Sequence, residues 1–213
     1  MFKAVLWDFG GVITSSPFEA FNKYEVKNGL PRDFLRSINA TNPENNAWAQ
    51  LESNKIDVDE FDDLFAREAE AKGHRVMGKE VLDLLSGAIR PEMVHALKVI
   101  KEDYRIGCIT NNVNTGQGPG MAQTSSKAVQ IAEIMDMFDL VIESSKVGIR
   151  KPNPEIYKLT CGRMSIEPEQ TIYLDDLGIN LKPARALGMT TIKVLDSSQA
   201  LTELQGYLNL RLQ

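Results

Sequence analysis

The chain has 213 residues, long enough for one α/β unit with a sizeable core and a modest insertion but too short for two full domains. Hydrophobic residues make up 43% and charged residues 25%, a balance that belongs to a folded globular protein and excludes general disorder. With 24 basic against 29 acidic residues the formal charge is -5, and no dense Lys/Arg run offers a landing surface for nucleic acid.

Lys3 to Phe9 reads as a short buried strand, because its apolar run ends abruptly at Asp8 and Gly10-Gly11 follows with turn chemistry. The apolar stretch Ala4 to Trp7 is cut off too early for a signal-peptide core or a membrane span, so a cytoplasmic location with no membrane partner is expected. From Ser15 to Arg90 the apolar residues recur at helical spacing, which predicts a helical insertion. Within it, Ser16 before Pro17 suits an N-cap followed by N1, and Asp59 and Glu60 suit the acidic first turn of a helix that carries Phe61, Leu64 and Phe65. Trp48, like Trp7 in the first strand, is expected to pack rather than to serve as a substrate platform.

Pro91 can open the helix that returns the chain through Met93, Val94, Leu97 and Ile100 to a second strand, Arg105 to Thr110. Asn112 to Ser126 holds Gly116, Gly118, Pro119 and Gly120 without apolar periodicity and is expected to be a mobile loop. Further strands follow at Leu140 to Glu143, Thr171 to Leu174 and Thr190 to Leu195, and Ser197 to Leu210 suits a closing amphipathic helix. Strands that alternate with helical segments predict βαβ units and, through the right-handed crossover, a doubly wound parallel sheet. Cys108 and Cys161 read as packing residues, and His74 and His95 as surface or insertion positions, so neither a disulfide framework nor a zinc site is expected.

Ligands of open parallel sheets bind at the carboxyl ends of the strands, and those ends are polar here. Strand one ends in Asp8, strand two in Thr110-Asn111-Asn112, and strand four in Asp175-Asp176, while Lys151-Pro152 follows strand three. The set suits phosphoryl transfer through a covalent intermediate, with Asp8 as nucleophile. Attack of one anion on another needs a cation, and magnesium prefers oxygen-only, partly hydrated sites. Asp176 is the natural second ligand and Asp175 its support. Lys151 spreads the remaining phosphate charge, while Thr110, Asn111 and neighbouring N–H groups bind phosphate oxygens. Arg150 reads equally well as a surface charge.

The strings WDFGGV, ITNN, KVGIRKPNPEIY and YLDDLGINLKPARALGM resemble the four motifs of the haloacid dehalogenase superfamily, in order and at the expected strand or helix positions. Tyr104 to about Leu208 looks like the N-terminal phosphatase domain of soluble epoxide hydrolases. The resemblance implies a Rossmann-like core from residues 1–14 and 91–213 and a small helical cap from residues 15–90 that gates the site. It also implies Mg2+ held by Asp8, the Gly10 carbonyl and Asp176, and a small phosphorylated molecule as substrate. A monomer or homodimer is expected.

One departure from the pattern bears on mechanism. Most phosphatases of the family carry a second aspartate two residues after the nucleophile, where it acts as general acid and base, but this chain has Gly10. A substrate hydroxyl, a metal-bound water or a cap residue such as Glu19 could substitute. Two alternatives follow from the same residues: dehalogenation by Asp8, which needs no metal and so leaves Asp175-Asp176 unexplained, and a phosphate-binding module with impaired turnover.

Overall fold

Val5 and Trp7 turn to one face of β1 (Ala4–Trp7) while Ala4 and Leu6 turn to the other, and each pair enters a different hydrophobic core. A strand buried on both faces needs helices on both sides, as in a doubly wound fold. The computed structural model describes residues 1–113 and 124–212, so most of the glycine-rich loop expected at 112–126 lies outside the described residues.

Between β1 and α6 (Pro91–Ile100) the chain forms α1 (Phe18–Lys27), α2 (Phe34–Ala40), α3 (Ala47–Glu52), α4 (Val58–Glu70) and α5 (Gly78–Leu82). Then follow β2 (Arg105–Thr110), α7 (Ser125–Met135), β3 (Leu140–Glu143), the single turn α8 (Ser144–Val147), α9 (Pro154–Met164), β4 (Thr171–Asp175), α10 (Gly178–Ala186), β5 (Thr190–Lys193) and α11 (Ser197–Leu208). Among the described residues the five strands form one parallel sheet in the order β3-β2-β1-β4-β5. Side chains from α6, α7 and α11 fill one face and those from α9 and α10 the other.

Two expected strands end early. Phe9 leaves the ladder because its carbonyl gathers the N–H groups of Ile13 (2.9 Å) and Thr14 (3.1 Å), and β5 stops at Lys193. The last helix ends at Leu208, where Asn209 adopts the left-handed conformation at φ 54°.

The insertion has its own core, in which Phe21, Leu35, Ile38, Leu51, Phe61 and Phe65 are buried together. Trp48 stacks edge-on against Phe61 and Phe65 with centroids 5.4 and 6.3 Å away. α4 opens with a capping box in which Asp57 and Glu60 exchange hydrogen bonds, and α6 begins at Pro91 as its sequence suggests. The two chain segments that lead into and out of the insertion run side by side. Thr14 bridges Ile89, Ser15 N–H donates to the Ala88 carbonyl at 2.7 Å, and Arg90 N–H donates to the Ile13 carbonyl at 2.9 Å.

Ser16 does not cap α1. Pro17 stands at that position in helical geometry and accepts from Phe21 N–H, while the Ser16 hydroxyl donates to Asp176 at 3.0 Å. The charge-assisted bond to a carboxylate orients the hydroxyl across the fold, so tertiary contact overrides the local signal.

Candidate active site

β1 is the switch point of the sheet. The chain runs outward from it through β2 and β3 on one side and continues through β4 and β5 on the other, which opens a crevice at the strand tips. Trp7 pairs with Leu174, and Asp8 N–H donates to the Leu174 carbonyl at 2.8 Å, so Asp8 and Asp175 leave neighbouring strands at the same level.

Lys151 lies between these carboxylates. Its Nζ is 2.7 Å from Asp8 Oδ1 and 2.9 Å from Asp175 Oδ2, and the side chain is 1% exposed. One carboxylate oxygen from each of Asp8, Asp175 and Asp176 lies within 4.8 Å of the others. Three carboxylates against one ammonium leave two negative charges unmatched. Burial pushes the Asp8 carboxyl well above the usual carboxylate range, and the charges of Asp175 and Asp176 push the same way against Lys151. Asp176 is raised too, first by burial and then by Asp175. For Lys151 burial opposes the charged form, but Asp175 and Asp8 outweigh it and keep the ammonium protonated.

The oxygens of Asp175 are already occupied. They accept from Lys151, the Tyr173 hydroxyl, Leu177 N–H (2.8 Å) and Asn180 Nδ2 (3.1 Å to each oxygen). Asp175 therefore fixes Lys151 and the start of α10 rather than facing a ligand. Asp8 and Asp176 carry fewer contacts, Asp176 accepting from Ser16 and Asp8 Oδ1 from Phe9 N–H and Lys151. The turn after β1 directs its N–H groups to the Phe9 carbonyl and not to that of Gly10. Two carboxylates and a main-chain carbonyl form an all-oxygen donor set with excess negative charge, which fits a small hard divalent cation.

The two glycines of the turn differ. Gly11 sits at φ 80°, and a Cβ there would lie 2.2 Å from Asp176 Oδ2, whereas a Cβ on Gly10 would meet nothing within 4 Å. Only Gly11 is demanded by the backbone and its surroundings.

Thr110 is 7% exposed at the tip of β2. The Asn111 side chain grips the Lys151 main chain, its Oδ1 accepting from Lys151 N–H at 2.8 Å and its Nδ2 donating to the Lys151 carbonyl at 3.0 Å. Asn112 is itself bonded to β3 and α8 through Glu143 and Ser145. Arg150 is more than a surface charge, since its Nε lies 2.6 Å from Glu52 of α3. Glu19 is exposed and is not among the residues that line the cavity.

Above the strand tips lies a cavity of about 650 Å³ shared by sheet and insertion. Asp8, Thr110, Lys151 and Asp176 line its floor, and apolar side chains including Phe18, Phe21, Trp48, Leu85 and Val113 line its walls. Trp48 thus packs, as expected, and also borders the cavity. Ser16, Glu52, Tyr173 and Asn180 are the site residues that sequence reasoning missed. Asn180 alone carried a signal, as a polar residue in the first turn of α10 on the face that buries Leu181 and Ala184.

A parallel sheet with an acidic, lysine-centred cluster at its switch point and helices on both faces defines a doubly wound α/β protein with a carboxylate-centred site. Residues 2–188 match the haloacid dehalogenase-like hydrolase family, and the chain belongs to it. It is 32% identical over 214 residues to the Bifunctional epoxide hydrolase 2 of Sus scrofa, an alignment that covers 95% of this chain and 38% of that protein. The chain thus spans well under half of that relative. The Sesquiterpene phosphatase astK of Aspergillus oryzae is 24% identical over 206 residues, with 96% of this chain and 95% of the relative covered. A HAD family enzyme of Bacteroides thetaiotaomicron, solved in complex with magnesium and inorganic phosphate, shares the fold with a TM-score of 0.62 at 22% identity, over 96% of this chain and 99% of that one. Among the described residues no helix is long and apolar enough to cross a membrane.

Proposed function

We propose that the chain is a magnesium-dependent phosphatase that hydrolyses small phosphate monoesters through an aspartyl phosphate on Asp8. The observation that carries this reading is the Asp8, Asp175, Asp176 and Lys151 cluster, whose surplus of two negative charges suits a divalent cation and whose ammonium touches the nucleophile. Its support among relatives is the sesquiterpene phosphatase and the magnesium and phosphate bound by the Bacteroides enzyme.

In this reading Asp8, Asp176 and the Gly10 carbonyl hold the ion. Magnesium, when bound, neutralises the repulsion between the Asp8 carboxylate and the phosphate oxygens. Lys151 holds one Asp8 oxygen and leaves the other to form the bond to phosphorus as the ester oxygen departs. Thr110 and the main-chain N–H of Asn111 receive the phosphoryl oxygens, because the Asn111 side chain is already engaged and the Asn112 N–H donates to Ser144 Oγ at 3.1 Å. Asp175 supports the metal end of the site from outside by fixing Lys151. No side-chain acid stands at Gly10, so the leaving oxygen takes its proton from water or from the substrate itself. A water molecule then attacks phosphorus, regenerates Asp8 and releases phosphate.

Residues 15–90 act as the cap over residues 1–14 and 91–213. The aromatic and aliphatic walls of the cavity favour the phosphate ester of a largely apolar alcohol over a sugar phosphate. The test is a panel of alkyl, prenyl and sugar phosphates assayed with magnesium, with chelator, and with Asp8→Asn as the blank. Phosphate release that needs both the metal and Asp8, and is fastest from apolar esters, is the expected result. Halide release from 2-haloacids that persists with chelator would replace this reading with dehalogenation.

A further inference from the structure

One carboxylate of the insertion reaches across the cavity into the strand-tip network. Glu52, at the end of α3, is 7% exposed. Its Oε2 accepts from Arg150 Nε at 2.6 Å and from Asn111 Nδ2 at 3.2 Å, and its Oε1 accepts from Trp48 Nε1 at 2.9 Å. Arg150 also donates from Nη1 to the Pro43 carbonyl of the insertion at 3.0 Å.

An exposed ion pair of this kind would contribute little. This one is different, because the Arg150 and Glu52 side chains are only 24% and 10% exposed and three donors satisfy the buried carboxylate. The two core partners of Glu52 surround Lys151. Arg150 is its chain neighbour, and Asn111 bonds both its N–H and its carbonyl. Lys151 in turn touches Asp8.

We propose that Glu52 is a positioning residue for Lys151: when the insertion is seated, its carboxylate locks Asn111 and Arg150 and thereby sets the ammonium against Asp8. Docking of the insertion and readiness of the nucleophile are then one event, read through a single side chain. Glu52→Gln keeps the shape of the residue but breaks the lock, since its amide NH2 must face either Trp48 Nε1 or the Arg150 and Asn111 donors. The kinetic consequence rests on the phosphatase reading, whereas the clasp itself does not.

The test is a double-mutant cycle in the full chain with Glu52→Gln, Arg150→Gln and the pair, with Glu52→Asp as the conservative variant. Two readouts are used: kcat and KM for p-nitrophenyl phosphate with magnesium, and acrylamide quenching of Trp48 against the fully buried Trp7. Each single variant is expected to lower kcat roughly tenfold while Mg2+ affinity holds within about twofold, the double variant is no worse than either single one, and Glu52→Asp recovers part of the loss. Trp48 quenching should rise in both single variants and no further in the double. Unchanged kcat in Glu52→Gln, or a double variant that multiplies the single effects, would overturn the proposal. Should the wild type release no phosphate, the phosphatase reading fails and quenching decides: unchanged quenching in Glu52→Gln overturns the clasp, and a non-additive rise upholds it.

Discussion

Asp176 fills the space that a side chain on Gly11 would need: a single methyl group there would lie 2.2 Å from the Asp176 carboxylate. The positive φ of 80° adds a backbone penalty to that clash. Gly11→Ala is expected to destabilise the chain by about 1–3 kcal/mol and to weaken Mg2+ binding by displacing Asp176. Gly10→Ala, with open space around its Cβ, should stay within about 0.5 kcal/mol of the wild type. Urea denaturation and Mg2+ titration of both variants check the contrast.

The open space at Gly10 also makes a chemical prediction. A site without a general acid depends on how well the leaving oxygen bears negative charge, so aryl phosphates should react much faster than alkyl phosphates. Gly10→Asp adds a carboxyl at a position where a Cβ meets nothing within 4 Å and is expected to raise kcat for alkyl phosphates about tenfold or more while p-nitrophenyl phosphate gains little. Equal gains for both substrates, measured by phosphate release, would show that the acid is not what the site lacks.

Asp8 and Asp176 both titrate above the ordinary carboxylate value of 3.8, chiefly through burial. A carboxyl raised in the folded state gives its full stabilisation below its unfolded pKa and loses it as pH climbs through the folded value. The metal-free protein at about pH 7 therefore carries this destabilisation and should gain stability on acidification toward about pH 5. Magnesium should raise Tm more at the higher pH, and Asp8→Asn should raise the metal-free Tm by an amount worth about 1 kcal/mol. Thermal melts at both pH values, with and without Mg2+, measure all three effects.

Lys151 is the only cation within 3 Å of either Asp8 or Asp175 among the described residues. Lys151→Met leaves two buried carboxylates without their partner and is expected to destabilise the chain by about 3–5 kcal/mol at neutral pH. The loss should shrink in acid as the carboxylates take up protons, which urea titrations at two pH values would reveal.

Much of this site was legible because a parallel sheet brings together residues that the sequence keeps apart. Asp8, Thr110 and Asp175 each close an apolar strand, and the tips of neighbouring strands must meet. Lys151 was placed by the Lys-Pro-Asn-Pro run that opens α9. Ser16 was misread because Ser-Pro is a good local helix start, and nothing local shows that Asp176 will approach 160 residues later. Glu52 was invisible for a similar reason, since its role exists only after the insertion docks on Arg150, 98 residues away. Tyr173 reads as strand packing, and only its hydroxyl contact with Asp175 gives it a place in the site.

The central claim is that Asp8 itself takes the phosphoryl group. Mass analysis of protein quenched in acid during turnover, with magnesium and excess phosphate ester, tests it most directly. A phosphate adduct on the peptide that contains Asp8, absent after chelation and in Asp8→Asn, is the predicted result. Undiminished phosphate release by Asp8→Asn would contradict the account.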